Sequence, residues 1–204
     1  MTKIFSYVVA RDFGFAPNPF YGYCTLATCK PRIRNAANIG DWIIGNGPKP
    51  KKLDDQLIFA MEITEKITYD QYWCDPRFQE KKSFLGGSLK QTYGDNIYHK
   101  LGGEWQQENS HHSNANGSIN YYNLNRDTKS EMVLISSNFY YFGENSLKIP
   151  TRLKNRVCRN MINHLMIEDE KLVQRFLDWI KSATEPGVHG NPRQFKTFER
   201  YHGL

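Results

Sequence analysis

Cys29 is followed by Lys30 and Pro31, where a strand-like run gives way to a short helix. A lysine beside the sulfur and the free N–H groups of a helix start both favour the thiolate form of a cysteine. His112 or His99 supplies a base for such a thiol, and Asp95 a carboxylate to orient the imidazole, so the parts of a Cys–His arrangement exist in the chain. The same cysteine also reads as a buried structural thiol, which behaves as a small apolar side chain. Metal chemistry is less well supplied. His111 and His112 are adjacent and lack the i, i+4 spacing of a helical zinc pair, and Cys24 and Cys29 fall outside structural-zinc spacing. The glycine patterns of phosphate-binding loops are missing, as are carboxylate pairs at catalytic spacing. These residues lead us to expect no metal and no cofactor.

The remaining chemistry is that of binding. A net charge of +6, a pI of about 9.1 and an aromatic share of 14% suit an anionic, flat partner such as a nucleotide or nucleic acid. Lys30, Arg32 and Arg34 cluster around a helix start, where they face phosphate in one reading and solvent in another. Trp42, Tyr98, Trp105, Tyr140 and Tyr141 are candidate stacking rings. Two of the four consecutive rings at Phe139 to Phe142 are expected to pack in the core, because alternate strand residues face opposite sides. Asn18, Asp41, Asp95, Asn96, His112 and Ser137 are candidates for reading polar edges of a base. Asn18 lies between Pro17 and Pro19, and holding a turn explains it as well. These residues group into a pocket with one wall at Gly14–Gly47 and the other in the loop at 93–113.

Such residues need a frame. Lys3–Ala10, Tyr23–Thr28, Trp42–Ile44, Leu57–Thr64 and Glu131–Ser136 are β-branched or aromatic runs that read as strands. Arg32–Ile39 and Tyr69–Trp73 read as short helices, and Asp169–Ser182 carries an apolar stripe that makes it an amphipathic helix. The stretch 75–127 is rich in Gly, Asn, Gln and His, has little periodicity, and reads as a long loop insertion. The expected architecture is therefore α+β: a small curved sheet, mixed or antiparallel, or a partly closed barrel with flanking helices. At 204 residues a single domain is expected, with its core in 1–75 and 128–182 and a basic, aromatic tail at 183–204. The basic stretch 148–159 and the tail would serve a protein partner.

The four cysteines form neither a CxxC pair nor a disulfide framework, and the opening residues lack the apolar run of a signal peptide. No stretch nears the roughly 20 apolar residues a membrane span requires. A cytoplasmic protein with reduced thiols and no membrane association is expected.

Three blocks resemble the nucleotide-modification-associated domain 2 family of prokaryotes and phages. They are FSYVVARDFGFAPNPFYGYCTLATCKPRIR with GDWIIGNG (Phe5 to Gly47), YGDNIYH with Trp105-Gln106-Gln107 and Ser110-His111-His112-Ser113, and LISSNFYYFG with Ile149-Pro150. The resemblance implies a setting in nucleic-acid modification or phage defence. It implies no particular reaction. The Gly40-Asp41-Trp42 turn entering a strand is also similar to the entry strand of PUA-like and EVE-type modified-base readers, a likeness of fold that does not establish function. Binding of a nucleotide or modified base is the first expectation. An enzyme of base or nucleotide modification using Cys29, Asp95 and His112 is the second, and a protein-interaction module the third.

Overall fold

The computed structural model describes residues 1–159 and 163–202 and has an α+β architecture. The chain divides into two compact units, each assembled from three separate stretches. Gly203 and Leu204, at the end of the expected tail, lie outside the described residues.

The first unit comprises residues 1–12, 37–64 and 136–193. Its sheet is mixed, with strand order His164–Ile167, Ile4–Val8, Trp42–Asn46, Gln56–Glu62, Phe139–Tyr141 and Gly187–Val188; Leu147–Lys148 also pairs with the Gln56 strand. Ile4–Val8 runs parallel to Trp42–Asn46, with Ile4 opposite Trp42 and Val8 opposite Asn46. The continuous apolar runs of these strands fit this pairing, since parallel strands are normally buried on both faces. The path runs edge to edge, and among the described residues no sheet closes into a barrel. Curvature is therefore the part of the sequence expectation that the fold bears out.

Helix Glu170–Ala183 lays Leu172, Val173, Phe176, Leu177 and Ile180 into a core with Ile4, Trp42, Ile44, Ala60 and Tyr140. Its start is fixed by Asp169, whose carboxylate accepts from the Leu172 amide at 3.1 Å. Gly45 is required by close approach, because a Cβ there would overlap the Phe59 ring and a Val9 methyl. The register shifts at the same point, between Gly45 and Asn46.

The second unit comprises residues 13–36, 65–135 and 194–204. It holds a three-stranded sheet, in the order Cys24–Leu26, Met132–Ser136, Glu65–Thr68, and a separate hairpin of Tyr98–Leu101 with Glu104–Gln107. Short helices at Pro31–Ala36, Tyr69–Cys74, Leu89–Thr92 and Tyr121–Asp127 surround a core dominated by rings: Phe13, Phe15, Tyr69, Tyr72, Phe78, Tyr93 and Tyr98. Helix Tyr69–Cys74 starts from a reciprocal capping box between Thr68 and Gln71. This unit corrects the reading of 75–127 as a long loop insertion. The segment contributes a hairpin and helices and buries Phe78, Tyr93, Ile97 and Tyr98. Its periodicity is faint because the elements are short and their buried positions are filled by Tyr, His and Asn, which hydropathy alone scores as polar.

Replacing Gly45 by Ala forces the Phe59 ring and Val9 apart. We expect a loss of about 1–3 kcal/mol in denaturant unfolding, while Gly40→Ala in the same unit, where nothing lies near the added carbon, acts only through its positive φ.

Candidate functional site

The strand Cys24–Leu26 turns into the helix Pro31–Ala36 through Cys29 and Lys30, whose φ angles are 57° and 40°. Two successive non-glycine residues in the left-handed region each cost about 1–2 kcal/mol, so the surroundings must over-determine the turn. Arg34 does so from within the helix. Its guanidinium is fully buried and donates from Nε to the Cys29 carbonyl (2.9 Å), from Nη1 to Ser130 O (3.0 Å) and Met132 O (2.6 Å), and from Nη2 to Asp127 O (2.5 Å). The Tyr69 ring lies against it at 5.4 Å, and the Tyr69 hydroxyl donates to the Ala27 carbonyl. The result is a sharp strand-to-helix turn with a half-buried thiol at its apex, the geometry that presents a nucleophile in hydrolase elbows.

His112 reaches this thiol from the turn Ser110–Ser113, which is closed by Ser113 N donating to Ser110 O and by Ser110 N donating to Ser113 Oγ. The His112 carbonyl is held by Gln107 Nε2 (3.1 Å) and Asn123 Nδ2 (2.9 Å). Its Nε2 is 3.9 Å from Cys29 Sγ, and its Nδ1 is 2.8 Å from Asp127 Oδ2. Asp127 ends the helix Tyr121–Asp127 and is completely buried. Its Oδ1 accepts from the Cys29 amide (3.0 Å) and Arg126 Nε (3.0 Å), and its Oδ2 accepts from His112 and the Tyr98 hydroxyl (3.0 Å). An ionised carboxylate is acceptor-only, so Nδ1 of His112 carries the proton and Nε2 faces the sulfur. Arg126 Nη2 lies 3.8 Å from Cys29 Sγ. Tyr201 packs against both the His112 ring (5.6 Å) and the Arg126 guanidinium (5.3 Å).

The electrostatics follow from this arrangement. Burial opposes charge on Asp127, but His112 and Arg126 overcome it and hold the carboxyl far below its usual range. Burial likewise opposes charge on His112, but Asp127 and the Cys29 sulfur outweigh it and raise the imidazole from 6.5 to about 9. For Cys29, burial and Asp127 push the thiol up, while His112 and Arg126 pull it down further, so the net direction is downward. The thiol, the imidazole and the carboxylate are thus electrostatically linked, with the thiol lowered, the imidazole raised and the carboxyl lowered.

Of the residues singled out in the sequence, Cys29 and His112 are brought together, and Asp95 is not with them. Asp95 accepts from Thr25 Oγ1 (2.6 Å) and the Tyr72 hydroxyl (2.8 Å) and lies near Lys81, so the partner of His112 is Asp127. His99, the other candidate base, pairs with Glu108 and stacks on Trp73. Asn18 is buried, donating to Tyr93 O and accepting from Lys81 Nζ at 2.7 Å. Asn96 holds the carbonyls of Tyr72 and Phe78. Arg34 is a backbone clamp, Arg32 is exposed and Lys30 is half-buried next to the sulfur. Tyr98 is buried behind Asp127, and Trp105 packs edge-on against Tyr69 with Lys100 over its ring.

Asp41, Trp42, Ser137, Tyr140 and Tyr141 belong to the first unit. There Asp41 accepts from the amides of Lys3 and Asn38, Trp42 and Tyr140 stack within the core, Ser137 is exposed beside Thr64, and Tyr141 donates to Asp12. Sequence reading missed Asp127 and Arg126. One signal was present: an aspartate at a helix C-terminus sits against the negative end of the dipole, and a broken local rule of that kind points to a site. The helix itself was not legible, so the signal could not be used.

Among the described residues no group of three or more His, Cys, Asp or Glu is placed to hold a metal ion, and no helix is long and apolar enough to cross a membrane. The family model for nucleotide modification associated domain 2 matches residues 1–199, and the chain belongs to that family. No curated protein and no solved structure matches it.

The pKa directions set the sign of a pH effect. His112 is raised in the fold, so its contribution is complete below 6.5 and is lost as pH rises through about 9. Asp127 is lowered, so its contribution is present above the ordinary carboxylate range and is lost as pH falls through the depressed value. His112→Asn should therefore cost more stability on the acid side of 6.5 than above 9, a difference of up to about 3 kcal/mol. Imidazole proton resonances provide the direct check: a His112 that titrates at or below 6.5 contradicts the pairing.

Proposed function

We propose that this protein is a thiol-dependent enzyme acting on a nucleotide or a modified nucleobase, with Cys29 as nucleophile, His112 as acid and base, and Asp127 as orienter. The observation that carries the reading is the line from Sγ to Nε2 (3.9 Å) and from Nδ1 to Oδ2 (2.8 Å), built at a strained strand-to-helix turn. The longer first distance suits a resting site, because catalytic hydrogen bonds tighten when substrate arrives. Such a constellation supports acyl transfer. The Cys29 thiolate attacks a carbonyl carbon, forming a C–S bond and a tetrahedral oxyanion. As that collapses, the bond to the leaving amine or alcohol breaks, and His112 gives the leaving atom its proton. His112 then takes a proton from water, which attacks the thioester and returns the free acid and Cys29. Membership of the nucleotide-modification-associated family supports a substrate of this class, and a phage-defence context fits the same reading. A reduced, low-pKa thiol fits a cytoplasmic location.

A binding role without turnover is the second reading. It is favoured by Tyr121 and Tyr122, which are 66% and 59% exposed at the start of the helix that carries Arg126 and Asp127. The likeness to PUA-like and EVE-type base readers belongs with this reading.

Labelling separates the two. Cys74 is exposed and Cys29 only half-buried, so accessibility alone predicts that iodoacetamide modifies Cys74 first. The enzyme reading predicts faster alkylation of Cys29, slowed by about 10²-fold or more in His112→Ala, and loss of any turnover of modified nucleotides in Cys29→Ser. Preferential labelling of Cys74, with Cys29 inert in the folded protein, removes the enzyme reading and leaves the binder.

A further inference from the structure

Arg126 stands beside the thiol with its guanidinium immobilised on several sides. Nε donates to Asp127 Oδ1 at 3.0 Å, the rings of Tyr122 and Tyr201 lie 5.8 and 5.3 Å from its central carbon, and Nη2 is 3.8 Å from Cys29 Sγ. Nη1 has no hydrogen-bond partner among the described residues. The side chain keeps 25% of its surface exposed, so solvent reaches it. A guanidinium pinned by a carboxylate and by rings has given up its rotamer freedom before any ligand arrives, which is the condition for a tight grip on a planar or tetrahedral oxyanion. Lys30 adds a second positive charge, close enough to interact with both the Cys29 sulfur and Arg126.

Arg126 faces the Cys29 sulfur and favours its anionic form. When sulfur attacks a carbonyl carbon its negative charge passes to the carbonyl oxygen, and Arg126 keeps its ion pair with Asp127. The Cys29 amide cannot compensate an incoming group, because Asp127 Oδ1 already accepts it. A substrate with its own negative charge next to the reacting carbon meets the solvent-reached part of this guanidinium, and its flat portion finds Tyr122 beside it. We propose that the electrophile taken by Cys29 carries an oxyanion group, a phosphate or a carboxylate, adjacent to the reacting atom and held by Arg126 and Lys30. This rests on the reading of Cys29 as the nucleophile.

Two alkylating reagents of similar size test it on the full chain. Iodoacetate and iodoacetamide both form a C–S bond with loss of iodide, and both react with the thiolate, so the ratio of their rates cancels any change in thiolate population. We expect the iodoacetate-to-iodoacetamide ratio at Cys29 to exceed that of glutathione by about tenfold. It should fall to the glutathione value in Arg126→Gln, fall partway in Lys30→Gln, and be largely kept in Arg126→Lys, the variant that guards against misfolding of the first. Inorganic phosphate should slow iodoacetamide at Cys29 in the wild type and not in Arg126→Gln. Acetate acting likewise would assign a general oxyanion grip, and phosphate acting alone a phosphoryl-selective one. A wild-type ratio equal to that of glutathione, or one unchanged by Arg126→Gln, overturns the proposal while leaving Cys29 a nucleophile. Failure of both reagents at Cys29 instead overturns the nucleophile reading beneath it.

Discussion

The carboxylate of Asp127 is fully buried, yet all its hydrogen-bonding capacity is met by groups from four different parts of the second unit. It holds the backbone of Cys29, the imidazole of His112, the hydroxyl of Tyr98 and the guanidinium of Arg126. A buried carboxylate without partners is costly enough to be driven to its neutral form. With four donors and two neighbouring cations it stays ionised, and each donor is fixed in return. Removing one donor leaves a buried charge under-compensated, so the geometry of Cys29, His112 and Arg126 is set jointly at this one group.

Arg34 performs the complementary task. It brings a positive charge into the interior and satisfies it with four main-chain oxygens, from Cys29, Asp127, Ser130 and Met132. The clamp closes on the carbonyls of Cys29 and Asp127, so the two residues 98 positions apart in the chain share one rigid support. A comparable arrangement lies deeper in the same unit, where Lys81 holds Asn18 and Tyr23 and Asp95 holds Thr25 and Tyr72. Burial lowers Lys81 to about 8 and raises Asp95. These groups brace the loop leading into the Cys24 strand and have no contact with the thiol that would involve them in its chemistry.

Where apolar residues set the element, sequence reading performed well. The strands at Ile4, Trp42, Gln56 and Met132 and the amphipathic helix at Glu170 lie where periodicity places them. It performed poorly where polar side chains make the core. Asn96, His111, His112, Gln107 and Asn123 are buried through specific hydrogen bonds, and composition alone reads such a run as an exposed loop. For the same reason Cys29 and His112 were recognisable as chemistry-bearing types, but Asp95 was taken for the carboxylate that Asp127 supplies. Nothing in linear spacing separates the two. Arg34 shows the reverse error, since a basic residue at a helix start looks like a phosphate contact and only its surroundings reveal a backbone clamp.

The second unit gathers residues 13–36, 65–135 and 194–204, and its last stretch delivers Tyr201 against His112 and Arg126. Tyr201 N donates to His111 O, Asn123 donates to Tyr201 O, and Arg200 reaches Ser110 and Ser113. During synthesis Cys29 emerges long before His112, His112 before Asp127, and the Tyr201 ring that packs on Arg126 comes much later. Closures of such sequence separation form slowly. A nascent chain therefore holds Cys29 without the imidazole, carboxylate and guanidinium that surround it in the folded unit, and that environment is complete only once Arg200 and Tyr201 have docked.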